Sequence, residues 1–375
     1  MRGIAALCVM IYHYTQFGAL PLLHHADLAV DVFFMLSGFV LTRTYAPRLL
    51  SDMSASDYIR RRLIRLTPMF LIGLLVGTLA LYAFMIKGLS TYTPRALFGS
   101  FLCNAFYLPY INDLEIRNFV STNMVQGEIF PANPPAWSLF FELIVSMAFI
   151  GLNKLGRSRL FKIAGLAFLA LVVAGFLIMP LNHAFTLDLK QGWGTKNFLG
   201  GFPRVFYGFT VGMIIAGLAE DEKWVGKLAR LKSYFGSTYV LYFLLILIFC
   251  FPKEFRGIYA VAVLLAVAPF LIFMASRIEC HGLERKIASF LGWLSYGVYC
   301  LHYPIARAVF LIKIPFFEPF AIKMLVSLLL TLAAAIIVTR YCEEPVRVWL
   351  SRNARPALSY PDIKKKNSAE VIGGV

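Results

Sequence analysis

Ten stretches of this chain stay apolar for 18 residues or more, and that restricts the fold more than any other feature. They cover residues 3–20, 28–46, 67–86, 135–152, 163–181, 198–219, 234–251, 257–276, 289–312 and 319–340. About 20 apolar residues in helical form cross the hydrocarbon core of a bilayer. A soluble fold cannot hide this much apolar surface: 59% of the 375 residues are hydrophobic and 15% are charged, against roughly 25% charged in an ordinary soluble domain. The mean hydropathy of +0.71 agrees. The runs are continuous rather than alternating, which excludes a membrane β-barrel. The expected architecture is all-α, a polytopic transmembrane helix bundle of about ten spans. Residues 1–350 form the transmembrane domain, and the polar stretch 351–375 is expected to be a disordered cytoplasmic tail.

Charge separates ten spans from eleven. Residues 96–111 are apolar but short, and a polar stretch, 112–133, follows them. If 96–111 does not cross and the amino terminus is cytoplasmic, the inner segments hold 25 of the 36 Lys and Arg, and the outer ones eight. A crossing there would move the basic segment 153–162 outside, against the positive-inside rule. Residues 96–111 are therefore expected to be re-entrant or interfacial, with both termini cytoplasmic. The net charge of +16 follows from those loops and from contact with membrane lipid, and does not call for a nucleic-acid partner. The six cysteines, Cys8, Cys103, Cys250, Cys280, Cys300 and Cys342, show no metal-ligand spacing and no disulfide framework. The first run carries His13 at mid-depth and lacks a small-x-small cleavage pattern, so it is expected to be a span rather than a signal peptide.

Ionisable groups inside apolar spans are costly and mark functional sites. His13 lies eleven residues after Arg2, close to three helical turns, so both share a face. An imidazole there suits a general base or an acyl carrier, or else an interhelical hydrogen bond. Asp31 and Glu142 are candidates to orient the His13 ring, with Glu142 the first choice, or to neutralise a buried cation. Ser295, Tyr299 and His302 share a face of the ninth span. Arg204, Arg307 and Lys323 lie nearer the outer ends of their spans, and with Asp31, Glu142 and His302 they imply a polar outer vestibule. On the opposite side, Arg61, Arg62 and Arg65 precede Pro68, which is expected to mark the junction with the third span. Arg61 and Arg65 align on one face, which suits either anionic lipid or a phosphate-bearing cofactor.

Six segments in order resemble the membrane acyltransferase-3 family. Arg2-Gly3 followed by His13 is similar to the family's RGxAAxxVxxxH, and Val30 to Phe39 to its VDxFFxLSGF. The run from Arg61 to Pro68 is similar to RRxxRIxP, and Trp137-Ser138-Leu139 with Glu142 to WSLxxE. Ser295-Tyr296, Tyr299 and His302 resemble SYxxYLxH, and Glu343-Glu344-Pro345 the ExP after the last span. Family members usually carry several residues before the Arg-Gly pair, whereas this chain begins at Met1.

The resemblance implies an enzyme of a bacterial inner membrane that moves an acyl group, most often acetyl from acetyl-CoA, to a hydroxyl of a surface glycan or lipid-linked acceptor. It uses acyl-CoA as a substrate and no permanently bound cofactor or metal. His13, Glu142 and Asp31 would be catalytic, through a ternary complex or an acyl-enzyme relay. Arg2, Arg61, Arg62 and Arg65 would hold the CoA phosphates. Trp137, Ser138, Tyr299, His302 and Arg307 would contact the acceptor. A transporter of an anionic solute, and a membrane scaffold or sensor, are the rival readings. The orientation is open to direct test: single cysteines placed within 190–196 should label from outside intact cells, and those within 154–160 only after permeabilisation. The reverse pattern overturns it.

Overall fold

The computed structural model describes residues 1–17, 22–117, 124–177, 187–228, 232–252, 256–312, 315 and 319–352. The expected disordered tail lies, from residue 353 on, outside the described residues. The protein is an all-α helix bundle. In chain order its helices are α1 (Arg2–Gln16), α2 (Leu28–Ser51), α3 (Ala55–Ile86), α4 (Pro94–Ala105), α5 (Trp137–Leu152), α6 (Arg157–Leu177), α7 (Gly201–Ala219), α8 (Glu222–Leu228), α9 (Lys232–Phe235), α10 (Thr238–Phe249), α11 (Arg256–Ala262), α12 (Ala268–Ala275), α13 (Gly282–Phe310), α14 (Phe320–Val338) and α15 (Glu344–Arg352). Two short strands, β1 (Glu115–Arg117) and β2 (Met124–Gln126), pair antiparallel.

Each of the ten apolar runs is helical over most of its described residues. Among the described residues, seven helices are long and apolar enough to cross a membrane. The other three runs fall short for separate reasons: α1 has 15 residues, α10 has 12, and α13, although 29 long, is made less apolar by its tyrosines, serines, glycines and His302. The helix that opens the run 96–111, like α1 and α10, is shorter than a bilayer core. Helix α4 has 12 residues, about 18 Å of rise against a hydrocarbon core of about 30 Å. Thr93 caps its start, accepting from the Ala96 N–H at 3.2 Å.

One expectation fails at Pro68. The arginine-rich segment and the third span are a single helix that runs through Pro68 from the Ser54 cap, whose Oγ accepts from the Asp57 N–H at 3.1 Å. Packed helices on either side tolerate the missing N–H of a proline inside a membrane helix. The helix ends where Gly88, at φ +67°, lets Leu89 N–H turn back to Phe84 O at 2.9 Å.

Two helices organise the bundle. Helix α13 packs on α1, α3 and α14, while α7 packs on α2, α5 and α6. The α2–α7 contact is close because glycines face backbone. A Cβ on Gly38 would meet the Phe209 carbonyl oxygen, and one on Gly212 the Met35 carbonyl oxygen. Gly208 and Gly212 form a GxxxG pair, the small-residue spacing that lets membrane helices approach. In the span 257–276 a π-turn, Val263–Val267, separates α11 from α12, and there the Leu264 carbonyl accepts from Tyr207 Oη at 2.8 Å.

Gly212→Val should lower stability by about 1–3 kcal/mol or more, since the backbone opposite cannot yield like a side chain. Gly165, with nothing within 4 Å of its added Cβ, should accept alanine without loss. Thermal unfolding in detergent distinguishes the two; equal melting temperatures would contradict the close approach of α2 and α7.

Candidate active site

A cavity of about 500 Å³ opens at the end of the bundle where α1 finishes. Tyr12, His13 and Gln16 of α1, Trp137 of α5, Arg204 of α7, and Tyr299, Tyr303 and Arg307 of α13 form its floor and walls. Arg117, Glu128, Asp188, Lys190 and Trp193, from the described parts of the polar stretches before α5 and before α7, form its rim. The Thr195 hydroxyl donates to Asn112 O at 2.7 Å, and Thr195 N–H donates to Gly127 O at 2.8 Å, joining the two rim segments.

A polar cavity is therefore present, but of the six residues expected to form it only Arg204 and Arg307 line it, and both are already matched by carboxylates. Arg204 grips Asp31 through two bonds, Nε to Oδ1 at 2.8 Å and Nη2 to Oδ2 at 2.7 Å. It also donates to the carbonyls of Gln191 and Asp27 and stands over the Trp137 ring. Arg307 pairs with Glu128 at 2.9 Å, donates to Pro131 O, and covers the Tyr303 ring. Burial raises the Glu128 carboxyl above the ordinary carboxylate range, while Arg307 pulls it back. Lys190 bridges Asp27 at 3.0 Å and Tyr12 Oη at 3.2 Å. Lys323 is buried on α14 against the Phe310 ring and is not among the lining residues. That departs from expectation, because the outward face of α14 is turned to a neighbouring helix and not to the vestibule.

His13 is half-buried and faces the cavity, and His302 lies fully buried behind it. His13 Nδ1 and His302 Nε2 are 2.8 Å apart, with the rings within 14° of parallel. His302 Nδ1 stands 2.9 Å from Val298 O and 3.0 Å from Tyr299 O. Tyr303 meets the His13 ring edge-on.

Of the residues named from the sequence, Asp31 and Glu142 lie away from the His13 ring, and His302 and Ser138 away from the cavity wall; for Asp31 and Glu142 it is the cation-partner alternative that holds. Glu142 and Asp31 do not hold the His13 ring. Glu142 accepts from Arg62 Nη2 at 2.8 Å and from Ser37 Oγ at 3.0 Å, while Asp31 is taken by Arg204. The physical reason is that a buried carboxylate left facing a neutral ring is far costlier than one facing a cation. His302 is not a wall of the cavity but the partner of His13. Ser138 also sits behind the wall, hydrogen-bonded to Tyr299 Oη at 2.6 Å; Trp137, Tyr299 and Arg307 do line the cavity. Glu128, Asp27, Lys190 and Trp193 escaped notice because they lie in polar stretches between spans, where nothing in the pattern separates a rim residue from a solvated loop.

The other end of α1 carries a cationic cluster. Arg2, half-buried, lies within electrostatic reach of Glu142, Arg62 and Arg65. It is Arg62 that turns inward to Glu142 and Ser146, rather than the Arg61–Arg65 face. Arg65 stands 4.0 Å from Glu343, which Arg347 holds at 3.0 Å. The Nε atoms of both Arg2 and Arg62 are buried with no hydrogen-bond partner among the described residues. Arg2 and His13 are separated by about 16 Å along the helix.

A family model described as an acyltransferase domain matches residues 1–340. The chain belongs to the acyltransferase-3 family. It is also 30% identical over 159 residues to "Protein 2 in picA locus" of Rhizobium radiobacter, a stretch amounting to 40% of this chain and 77% of that protein. No solved structure matches the chain. Family and helices together make it a multi-pass membrane enzyme that transfers acyl groups.

The ion pairs predict a stability pattern. Asp31→Ala should cost about 3–5 kcal/mol, because Arg204 keeps its charge and loses its partner. Replacing both residues with leucine should restore part of that loss. Melting temperatures of the single and double variants in detergent test this; a double variant less stable than Asp31→Ala would contradict it.

Proposed function

We propose that this acyltransferase moves an acyl group, acetyl in the simplest case, from cytosolic acyl-CoA to a hydroxyl of a glycan or lipid-linked acceptor on the outer face of a bacterial inner membrane. One observation carries the reading: a single helix presents His13 to an open cavity at one end and Arg2 to a half-buried arginine cluster at the other. The family supports acyl transfer, and the sequence motifs favour the CoA donor and hydroxyl acceptor.

The cluster suits the donor. Arg2, Arg62, Arg65 and Arg347 outnumber Glu142 and Glu343, and two buried Nε–H groups lack acceptors among the described residues. A phosphate supplies both charge and acceptor oxygens, and guanidinium groups match it well. The extended pantetheine arm bridges the distance from such a site to His13. The cavity suits a sugar, since Trp137, Trp193, Tyr12 and Tyr303 offer aromatic faces beside polar groups. The cations nearest its floor are already neutralised by Asp31 and Glu128, so an uncharged polyhydroxyl ring meets no unmatched charge there.

In the reaction His13 removes the proton of the acceptor hydroxyl. The oxygen attacks the thioester carbonyl, the new ester C–O bond forms, and the C–S bond breaks. The CoA thiolate leaves and recovers a proton from the imidazolium. General-base catalysis of this kind is worth about 10²–10⁴-fold.

His13→Gln should lose at least that factor in transfer while expressing and melting normally, because an amide hydrogen-bonds without accepting the proton. Full activity in His13→Gln removes His13 from the chemistry. Arg65→Ala should raise the apparent KM for acyl-CoA about tenfold to a hundredfold, the loss expected for one charge-assisted bond. An unchanged donor KM would assign the arginines to lipid. Mass spectrometry of envelope glycans with and without the gene tests the acceptor class.

A further inference from the structure

We propose that His302 is a positioning residue that fixes the His13 ring in one tautomer, with its Nε2 lone pair aimed into the vestibule. The inference deepens the assignment of His13 as general base and rests on it.

The argument begins at the buried end. His302 Nδ1 faces two backbone carbonyls, Val298 O at 2.9 Å and Tyr299 O at 3.0 Å. A carbonyl oxygen can only accept, so Nδ1 must carry the proton. In a neutral imidazole the other nitrogen is then a bare acceptor. His302 Nε2 is that acceptor, and its neighbour at 2.8 Å is His13 Nδ1. The only arrangement that makes this contact a hydrogen bond between neutral rings has His13 Nδ1–H donating. His13 Nε2 is therefore bare, and His13 is the ring of the pair that lines the cavity. The helix carbonyls thus set the protonation of a nitrogen two rings away.

This arrangement does what a carboxylate does for histidine in a serine-protease triad: it holds the tautomer and the ring orientation, and goes on accepting from Nδ1–H once the ring is an imidazolium. It does so without a buried negative charge. The available carboxylates, Asp31 and Glu128, are held by Arg204 and Arg307, and Glu142 by Arg62. A neutral acceptor on α13 fills the role instead, and the close packing of α1 on α13 keeps it within reach.

Two substitutions separate positioning from packing. Glutamine places its amide oxygen where His302 Nε2 stands and can accept from His13 Nδ1–H. Asparagine places its amide near the position of Nδ1, so it can serve the helix carbonyls but falls short of His13. With the full-length protein in detergent or liposomes, His302→Gln should keep transfer within about tenfold of the parent, while His302→Asn should lose a hundredfold or more in kcat with an unchanged donor KM. Solid-state ¹⁵N spectra of histidine-labelled protein, with His13 assigned by its absence in His13→Gln, read the tautomer without any turnover. The parent should show His13 protonated at Nδ1 and bare at Nε2, and His302→Asn a mixture of tautomers. A parent spectrum with bare Nδ1, or asparagine and glutamine variants of equal activity, overturns the proposal. Should the expected tautomer be found while His13→Gln remains fully active, the general-base reading fails and the positioning of the ring stands.

Discussion

A charged group between apolar helices must meet its counter-charge, because the loss of water around it costs more than any single packing contact returns. Among the described residues three such pairs join elements distant in the chain. Arg204 and Asp31 tie α7 to α2; Arg307 and Glu128 tie α13 to the rim segment before α5; Arg62 and Glu142 tie α3 to α5. The close glycine-mediated crossing of α2 and α7 lies along the same contact as the first pair. With these carboxylates committed to arginines, the histidine on α1 is left to another histidine.

The two ends of α1 then differ in kind. At one end the cations outnumber the carboxylates and two guanidinium nitrogens stay unmatched; at the other every deep cation has its partner. An anion is favoured at the first end, and a neutral, hydrogen-bonding ligand at the second. The transfer we propose, between a phosphate-bearing thioester and a hydroxylic acceptor, would use that division, with His13 as the base between the two.

Much of the fold was legible in the sequence. Apolar runs long enough to span a bilayer gave helices in all ten places, since a backbone in hydrocarbon must satisfy its own hydrogen bonds. The apolar stretch 96–111 holds only a short helix, in keeping with its brief apolar run. The junction at Pro68 was misplaced: a proline breaks helices in water more readily than among packed spans, where neighbours secure the chain on both sides. The cavity rim was invisible, since Glu128, Lys190 and Trp193 sit in polar stretches with no period to mark them.

Sequence alone determined which segments are helices, which polar residues are buried with them, and that His13 and Arg2 share a face. Those properties follow from local pattern, from composition and from the helical repeat. The partners were decided only by the tertiary structure. His13 and His302 are 289 residues apart, and Asp31 and Arg204 are 173 apart. Which acid meets which base depends on the depth and rotation of each helix against its neighbours. Packing of side chains and glycines across the bundle sets those two quantities, and no single segment encodes them.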